Sequence, residues 1–218
     1  MTRREAGGAD ARADEGFSLI ELIVAMGIFM IFVSLFLGAV VGLARGTTRA
    51  QVSAEATSGV IILFQNIDRQ VRYSDGINYP GTSAGKTYIE FRTPAASAPS
   101  RVTTCTQWRY DPSKAIIESR TWADGATIAS SWSVKLSSVV PSAAADYPFA
   151  MIPAGFLGST KQEFKLTIKA GNDSTGGATN MSTSFFAKNT NTGSPGNAAN
   201  ASGDSAVPVC QRTGGTRP

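Results

Sequence analysis

Residues 16–44 read GFSLIELIVAMGIFMIFVSLFLGAVVGLA and decide the fold of this 218-residue chain. From Leu22 to Ala44 there are 23 residues without a charge. As a helix such a run spans roughly 35 Å, which is enough to cross a bilayer. The charged residue of the stretch, Glu21, stands at the start of the run, four residues after Phe17 and therefore on the same helix face. The stretch predicts a membrane-spanning helix that begins with an acid.

The start of this helix carries a specific motif. Gly16-Phe17-Ser18-Leu19-Ile20-Glu21, followed by an apolar helix, resembles the class III signal of type IV pilins and pseudopilins. The resemblance implies that a prepilin peptidase in the cytoplasmic membrane cuts between Gly16 and Phe17, and that Phe17 is then N-methylated. It also implies that Glu21 sets the register of the chain against other pilin or pseudopilin subunits in a helical filament. The motif covers the start of the mature chain and says little about the rest.

The predicted leader, residues 1–16, is polar and has no apolar core of its own, so it is not an ordinary secretory signal. It departs from many pilin leaders because it carries four acidic residues and ends Asp14-Glu15-Gly16. Two alternatives remain open at this point. Residues 17–44 could be the apolar region of a cleavable signal with its cut site at 42–44, or the chain could be a simple membrane-anchored domain whose leader stays uncut.

Three glycines recur every four residues late in the predicted membrane helix, at Gly38, Gly42 and Gly46. They line one face with backbone that neighbouring helices can approach closely, which predicts helix packing there; the other interpretation is that they are merely tolerated. Gly38 stands where many major pilins have a proline, and glycine also weakens a helix. Local softening is therefore expected near Gly38.

The helical pattern continues beyond the membrane segment 17–44, over residues 45–75. Its apolar residues step by three or four and include Val52, Ala56, Val60, Leu63, Ile67 and Val71. Ser74-Asp75-Gly76 is predicted to end the helix, with Gly76 as a left-handed cap. A separate soluble helix after a break at 46–48 is the alternative.

Residues 76–188 are predicted to form an antiparallel β head against which the outer half of the helix packs. Residues 77–85 read as a loop and 111–114 as a tight turn. Alternating patterns predict strands over 87–92, 101–110, 115–122, 132–140, 164–169 and 181–188. One helix followed by strands gives an α+β fold, which also fits the pilin family. The tail, 189–218, is rich in Gly, Ser and Asn and should be disordered by itself.

The chain has two cysteines, Cys105 and Cys210, and both follow the membrane helix. This position predicts a single extracytoplasmic disulfide that ties the tail onto the sheet. Two reduced, unrelated thiols are the alternative.

Composition argues against catalysis, because the chain has no histidine and no zinc-type pairing of cysteines. We therefore predict no enzyme activity, no metal and no cofactor. Removing the leader lowers the count of basic side chains from 20 to 17 and of acidic ones from 16 to 12, leaving a charge of +5 that hints at acidic partners.

Together with the resemblance, these features predict a minor pilin or pseudopilin that is anchored in the membrane by one helix and has an extracytoplasmic head. After assembly the subunit is expected in a filament, either a pilus at the cell surface or a secretion pseudopilus. The alternative is a DNA-uptake or adhesive pilin, because basic and aromatic side chains on strands can bind nucleic acid. The residues behind this alternative are Arg101, Arg109, Arg120, Lys165 and Lys169, interspersed with Trp108 and Tyr110.

Overall fold

One long helix, nine strands and a short 3-10 helix (Phe156–Gly158) make up the computed structural model, which describes residues 18–128, 131–144, 147–174 and 176–210. Helix α1 spans Leu19–Val71 without interruption, so the alternative of a break at 46–48 is wrong. The chain divides into two compact units, one ending at Thr47 and the other beginning at Thr48. The strands belong to the second unit, here called the head.

The head contains two antiparallel sheets. The six strands of the larger sheet are β1 (Gly76–Ile77), β2 (Gly81–Ser83), β3 (Lys86–Thr93), β4 (Thr104–Asp111), β5 (Ile116–Ala123) and β6 (Ser133–Leu136). Their order is β1-β3-β4-β5-β6, and β2 also pairs with β3. The smaller sheet has the order β7-β8-β9, formed by Phe149–Ile152, Glu163–Ala170 and Thr179–Phe186. The predicted α+β fold is confirmed.

The core of the head lies where α1 meets the inner faces of the sheets. Val60, Leu63, Ile67 and Val71 are fully buried there, which confirms the predicted stripe over its second half. Burying each such side chain stabilises the fold by about 1.5 to 3 kcal/mol. Strand β8 alternates as predicted, and its inward side chains are those of Phe164, Leu166, Ile168 and Ala170.

The predicted helix end was wrong. Helix α1 ends at Val71, whose carbonyl accepts the Ser74 hydroxyl at 2.7 Å, and Gly76 lies in β1 rather than in a left-handed cap. The reason for a glycine at this place is space: an added Cβ would lie 2.9 Å from the Pro195 carbonyl oxygen and 3.0 Å from Val209 Cγ1. The absence of a side chain at Gly76 thus allows the C-terminal segment, defined as residues 189–210, to pack directly against the backbone of β1.

Other boundaries also differ from the prediction. Residues 77–85 contain the short strand β2 rather than only a loop, and β7 was not predicted at all. The strand predicted over 132–140 ends at Leu136, and Val139 forms an isolated bridge to Ala170. These short pairings depend on partners far away in sequence, which local patterns do not report.

The turn predicted at 111–114 is present and is built on Asp111. The buried carboxylate of Asp111 accepts the Ser113 hydroxyl at 2.6 Å and lies 3.3 Å from Lys86 Nζ. Burial acts to raise the pKa of Asp111, but the hydrogen bonds and the charge of Lys86 together lower the pKa below its ordinary value. The turn therefore holds an ionised acid between β4 and β5.

The C-terminal segment packs on the head through side chains that bond to backbone. Asn78 donates to the Val209 carbonyl at 2.8 Å and accepts the Val209 N–H at 2.9 Å. Asn197 makes the equivalent pair of bonds with Ala154, at 3.1 and 2.7 Å. This polar segment was expected to be disordered by itself. In the folded chain, contacts with the head hold residues 189–210 in place. Residues 211–218 lie outside the described residues.

Candidate membrane and assembly segment

The first part of α1 presents a continuous apolar surface. In the part of the chain that the structure describes, α1 is the helix long and apolar enough to cross a membrane. With the exception of the half-buried Val33, its large apolar side chains are exposed, from 77 % at Leu19 to 45 % at Val40. An apolar surface of this extent is characteristic of contact with lipid or with other helices. The predicted apolar helix of membrane-spanning length is thus present.

Ser18 and Glu21 form a capping box at the start of α1. The Ser18 N–H donates to Glu21 Oε2 at 3.0 Å, and the Glu21 N–H donates to Ser18 Oγ at 3.3 Å. Each side chain thereby satisfies a backbone N–H that has no partner within the helix, and the carboxylate lies at the positive end of the helix dipole. Ser18 was not predicted, although the spacing Ser-x-x-Glu before an apolar run was the signal for it.

The glycines Gly38, Gly42 and Gly46 lie within α1. Apart from their chain neighbours and the nearby backbone of α1 itself, no heavy atom of the described residues lies within 4 Å of the position a Cβ would take on any of them. The face that they form is open, as close packing of another helix requires. That packing stays a prediction. Gly16 and Phe17, the residues of the predicted cleavage, lie outside the described residues.

The predicted disulfide is present in the head. It joins Cys105 on β4 to Cys210 across 105 residues of chain, with a Cα–Cα distance of 5.4 Å, which is typical of disulfides. Asp124 Oδ1 lies 3.4 Å from Cys105 Sγ. These three residues are grouped closely enough to hold a metal ion. The disulfide, however, uses both sulfur atoms, and zinc sites need them as thiolates.

A buried polar row crosses the outer face of the larger sheet beside this disulfide. Gln107 donates to Glu90 at 2.8 Å and accepts from Arg120 at the same distance. Glu90 also accepts from Asn78 at 3.0 Å, and Asn78 holds Val209. The row therefore connects three neighbouring strands to the C-terminal segment. This row was not predicted, because contacts between side chains on neighbouring strands depend on the register of the strands.

Removing the disulfide is expected to loosen the C-terminal segment first. Cys105→Ser/Cys210→Ser should lower the free energy of unfolding by up to about 4 to 5 kcal/mol, because a loop of this length costs much entropy to close. Urea unfolding of the full chain in detergent measures the loss. Reductant should destabilise the parent and leave the double variant unchanged. Equal stability of the parent with and without reductant would contradict this role.

The predicted nucleic-acid surface does not form, because most of its residues on the larger sheet are covered. Trp108 and Tyr110 point into the core and are 0 % and 5 % exposed. On the opposite face, the Arg109 and Arg120 guanidinium groups lie 3.9 and 4.2 Å from the ring centre of Trp132, in cation–π geometry. Arg109 also donates to Glu118 at 2.6 Å.

The other basic residues of that hypothesis lie elsewhere. Lys165 and Lys169 belong to β8 in the smaller sheet, and Lys169 pairs with Asp173 at 2.7 Å. Arg101 lies in the exposed loop before β4. The basic side chains are therefore divided between two sheets and a loop, and the DNA-binding alternative loses the surface on which it depended.

Comparison with known proteins identifies the N-terminal segment. The family model described as "Prokaryotic N-terminal methylation motif" matches residues 11–37, which include Gly16, Phe17 and Glu21. No curated protein and no solved structure matches the chain. The matched segment is the class III signal of type IV pilins, so the predicted resemblance is confirmed. The motif indicates a membrane-anchored structural subunit of the pilin or pseudopilin type rather than an enzyme.

Proposed function

We propose that this chain, which carries the class III pilin signal, is a minor pilin or pseudopilin that assembles through its N-terminal helix into a type IV pilus or a type II secretion-like filament. The observation that carries the proposal is the methylation motif at 11–37, which overlaps the exposed apolar start of α1. In the proposed pathway, prepilin peptidase removes residues 1–16 by cutting between Gly16 and Phe17. Phe17 then becomes the methylated N-terminal residue.

The membrane holds the subunit before assembly. Residues 17–44 act as the membrane and assembly helix, the rest of α1 as the support of the β head, and residues 76–188 with the tail as the extracytoplasmic part. Other subunits replace lipid around the apolar surface when the chain enters a filament. Because lipid tails and apolar side chains are similarly apolar, burying the helix against other subunits gains little hydrophobic free energy. The specificity of subunit association must therefore come from close packing and polar contacts. Gly38, Gly42 and Gly46 would provide the close packing.

Glu21 would provide the polar contact. Within the described residues, its Oε2 accepts the Ser18 N–H, and its Oε1 makes no hydrogen bond. Cleavage creates a cationic amine at Phe17, and the carboxylate of a neighbouring subunit is its natural partner in a low-dielectric surrounding. A charge pair of this kind would fix the depth at which each new subunit joins the filament.

The mass of the mature chain tests the proposal. Intact-mass analysis of protein extracted from membranes is expected to show a chain that begins at Phe17 and carries one methyl group. Purified filaments should contain this same form. A chain that retains Met1, or one that begins at Arg45 as the product of an ordinary signal peptidase, would refute the proposed processing.

A further inference from the structure

Among the residues that the structure describes, no further strand pairs with the outer edge of β9. Strand β9 is the last strand of the smaller sheet, and it pairs with β8 on one side. In an antiparallel pair, every second residue turns its backbone N–H and C=O groups away from the partner strand. The Ala187 N–H donates to the Gln162 carbonyl at 3.0 Å, so Ala187 faces β8. Counting back from Ala187, every second residue also faces β8 and the residues between them face outward. The outward residues are Asn180, Ser182, Ser184 and Phe186.

Nothing in the described residues satisfies this outward row. No hydrogen bond from residues 18–128, 131–144, 147–174 or 176–210 reaches the backbone groups that these four residues turn outward. Their side chains are also exposed, and Phe186 is 51 % exposed although it is large and apolar. The row is therefore accessible to another strand.

Other sheet edges of the head are protected in ways that β9 is not. Strand β7 has four residues and is bounded by Pro148 and Pro153, which cannot donate to a further strand. Strand β6 is equally short, carries Lys135, and joins β5 through a shift of register. Strand β9 has eight residues, with neither a proline nor a charge. Short length, proline, lysine and irregular register are the usual defences of an edge against pairing.

We propose that β9 is a docking edge, to which an extended strand of a neighbouring subunit adds when the filament forms. This inference rests on the proposed function, because it places the partner in the same filament. The partner strand is uncharged, since β9 offers no charge to pair with one. It carries small side chains opposite Ser182 and Ser184 and an apolar one beside Phe186, whose exposed ring it would cover. Backbone hydrogen bonds provide the attraction, as in other cases of strand addition.

Amide hydrogen exchange of the full mature chain tests the proposal residue by residue. In detergent, the outward N–H groups of Ser182 and Ser184 should exchange fast, whereas those of Thr183 and Phe185, which bond to β8, should exchange slowly. In filaments, exchange at Ser182 and Ser184 should slow by at least about fivefold, the factor that one ordinary hydrogen bond supplies. Unchanged exchange in filaments would overturn the proposal. So would protection that is already present in a detergent-solubilised dimer, since the partner would then be a second copy outside the filament.

Variants at Ser184 test the edge independently. Ser184→Pro removes an outward donor and leaves the bonds to β8 in place, so it should reduce the filament yield about tenfold with the thermal unfolding temperature retained. Ser184→Thr is the matched control and should assemble like the parent. Ser184→Glu is a second variant, for the case that the proline variant does not fold. Its carboxylate lies opposite Lys165 within the chain. Because the substitution introduces a charge at the edge, it should also block assembly.

The outcomes separate this inference from the proposed function. If the parent forms filaments and both Ser184→Pro and Ser184→Glu assemble equally well, the docking edge is wrong and the filament role stands. If the parent chain is never processed or assembled, the proposed function itself fails, and the docking edge fails with it.

Discussion

Replacing Gly16 with leucine is expected to leave the entire precursor uncleaved. Gly16 lies within the matched methylation motif, where the polar sequence of residues 1–16 gives way to the apolar run. A peptidase that cuts after glycine binds the backbone closely at a residue without a side chain. The side chain of leucine would obstruct the approach of the peptidase to that bond. The uncut chain would keep Asp14 and Glu15 just ahead of the membrane helix and would have no amine at Phe17. Filament formation should therefore be abolished as well.

The measurement is the intact mass of the chain in the membrane fraction, combined with the amount of filament recovered. Gly27→Leu is a matched control, because Gly27 lies in the same apolar helix and, apart from its chain neighbours and the nearby helix backbone, no described atom lies within 4 Å of its Cβ position. It should be processed like the parent. Normal cleavage of Gly16→Leu would contradict the assignment of this residue to the cut site.

The parts of the fold that the sequence predicted are those set by local pattern. The length of the apolar run is visible directly, and the spacing of Val60, Leu63 and Ile67 follows the helical repeat that buries them. Strand β8 alternates because one of its faces meets the core. In each case the residues that determine the element lie close together in the sequence. The element could therefore be predicted without knowing the tertiary structure.

The basic surface of the DNA-binding alternative does not form, and the reason is tertiary. Side chains alternate along β4, so Trp108 and Tyr110 lie on the core face and Arg109 on the opposite face. The sequence could not say what covers that second face. Trp132, which follows in the chain after β5, lies over Arg109 and Arg120 there. Buried guanidinium groups held by rings and carboxylates have the same sequence pattern as solvated ones. Only the packed structure distinguishes them.

The C-terminal segment shows the limit of composition as a guide. Its residues are too polar to form a core, and the disulfide to Cys105 was the one anchor that the sequence indicated. The structure adds Asn78 and Asn197, each of which bonds to both the N–H and the C=O of one distant residue. Such amide pairs satisfy backbone groups without apolar burial. Because their partners are far away in the sequence, no local pattern reveals them.

The capping box at the start of α1 gives Glu21 two separable roles. As a cap it satisfies the Ser18 N–H, and as a charge it would attract the Phe17 amine of a neighbouring subunit. Glutamine also serves in a capping box, so Glu21→Gln should keep the helix start and remove only the charge. Ser18→Ala does the opposite, since it removes a hydroxyl acceptor worth about 0.5 to 2 kcal/mol to the helix and keeps the carboxylate.

Glu21→Gln and Glu21→Ala are both expected to reduce assembly at least tenfold, whereas Ser18→Ala should assemble nearly as well as the parent. One lost charge pair of roughly 1.4 kcal/mol is enough for a tenfold effect, and burial away from water strengthens it. Cross-linking of membrane-inserted subunits into filaments measures assembly, with cleavage and methylation confirmed by mass for every variant. Urea unfolding of the head should be the same in all three, because Glu21 lies in the unit that ends at Thr47. If Glu21→Gln assembles like the parent and Ser18→Ala does not, the carboxylate acts in assembly only by starting the helix, and the charge-pair mechanism is wrong.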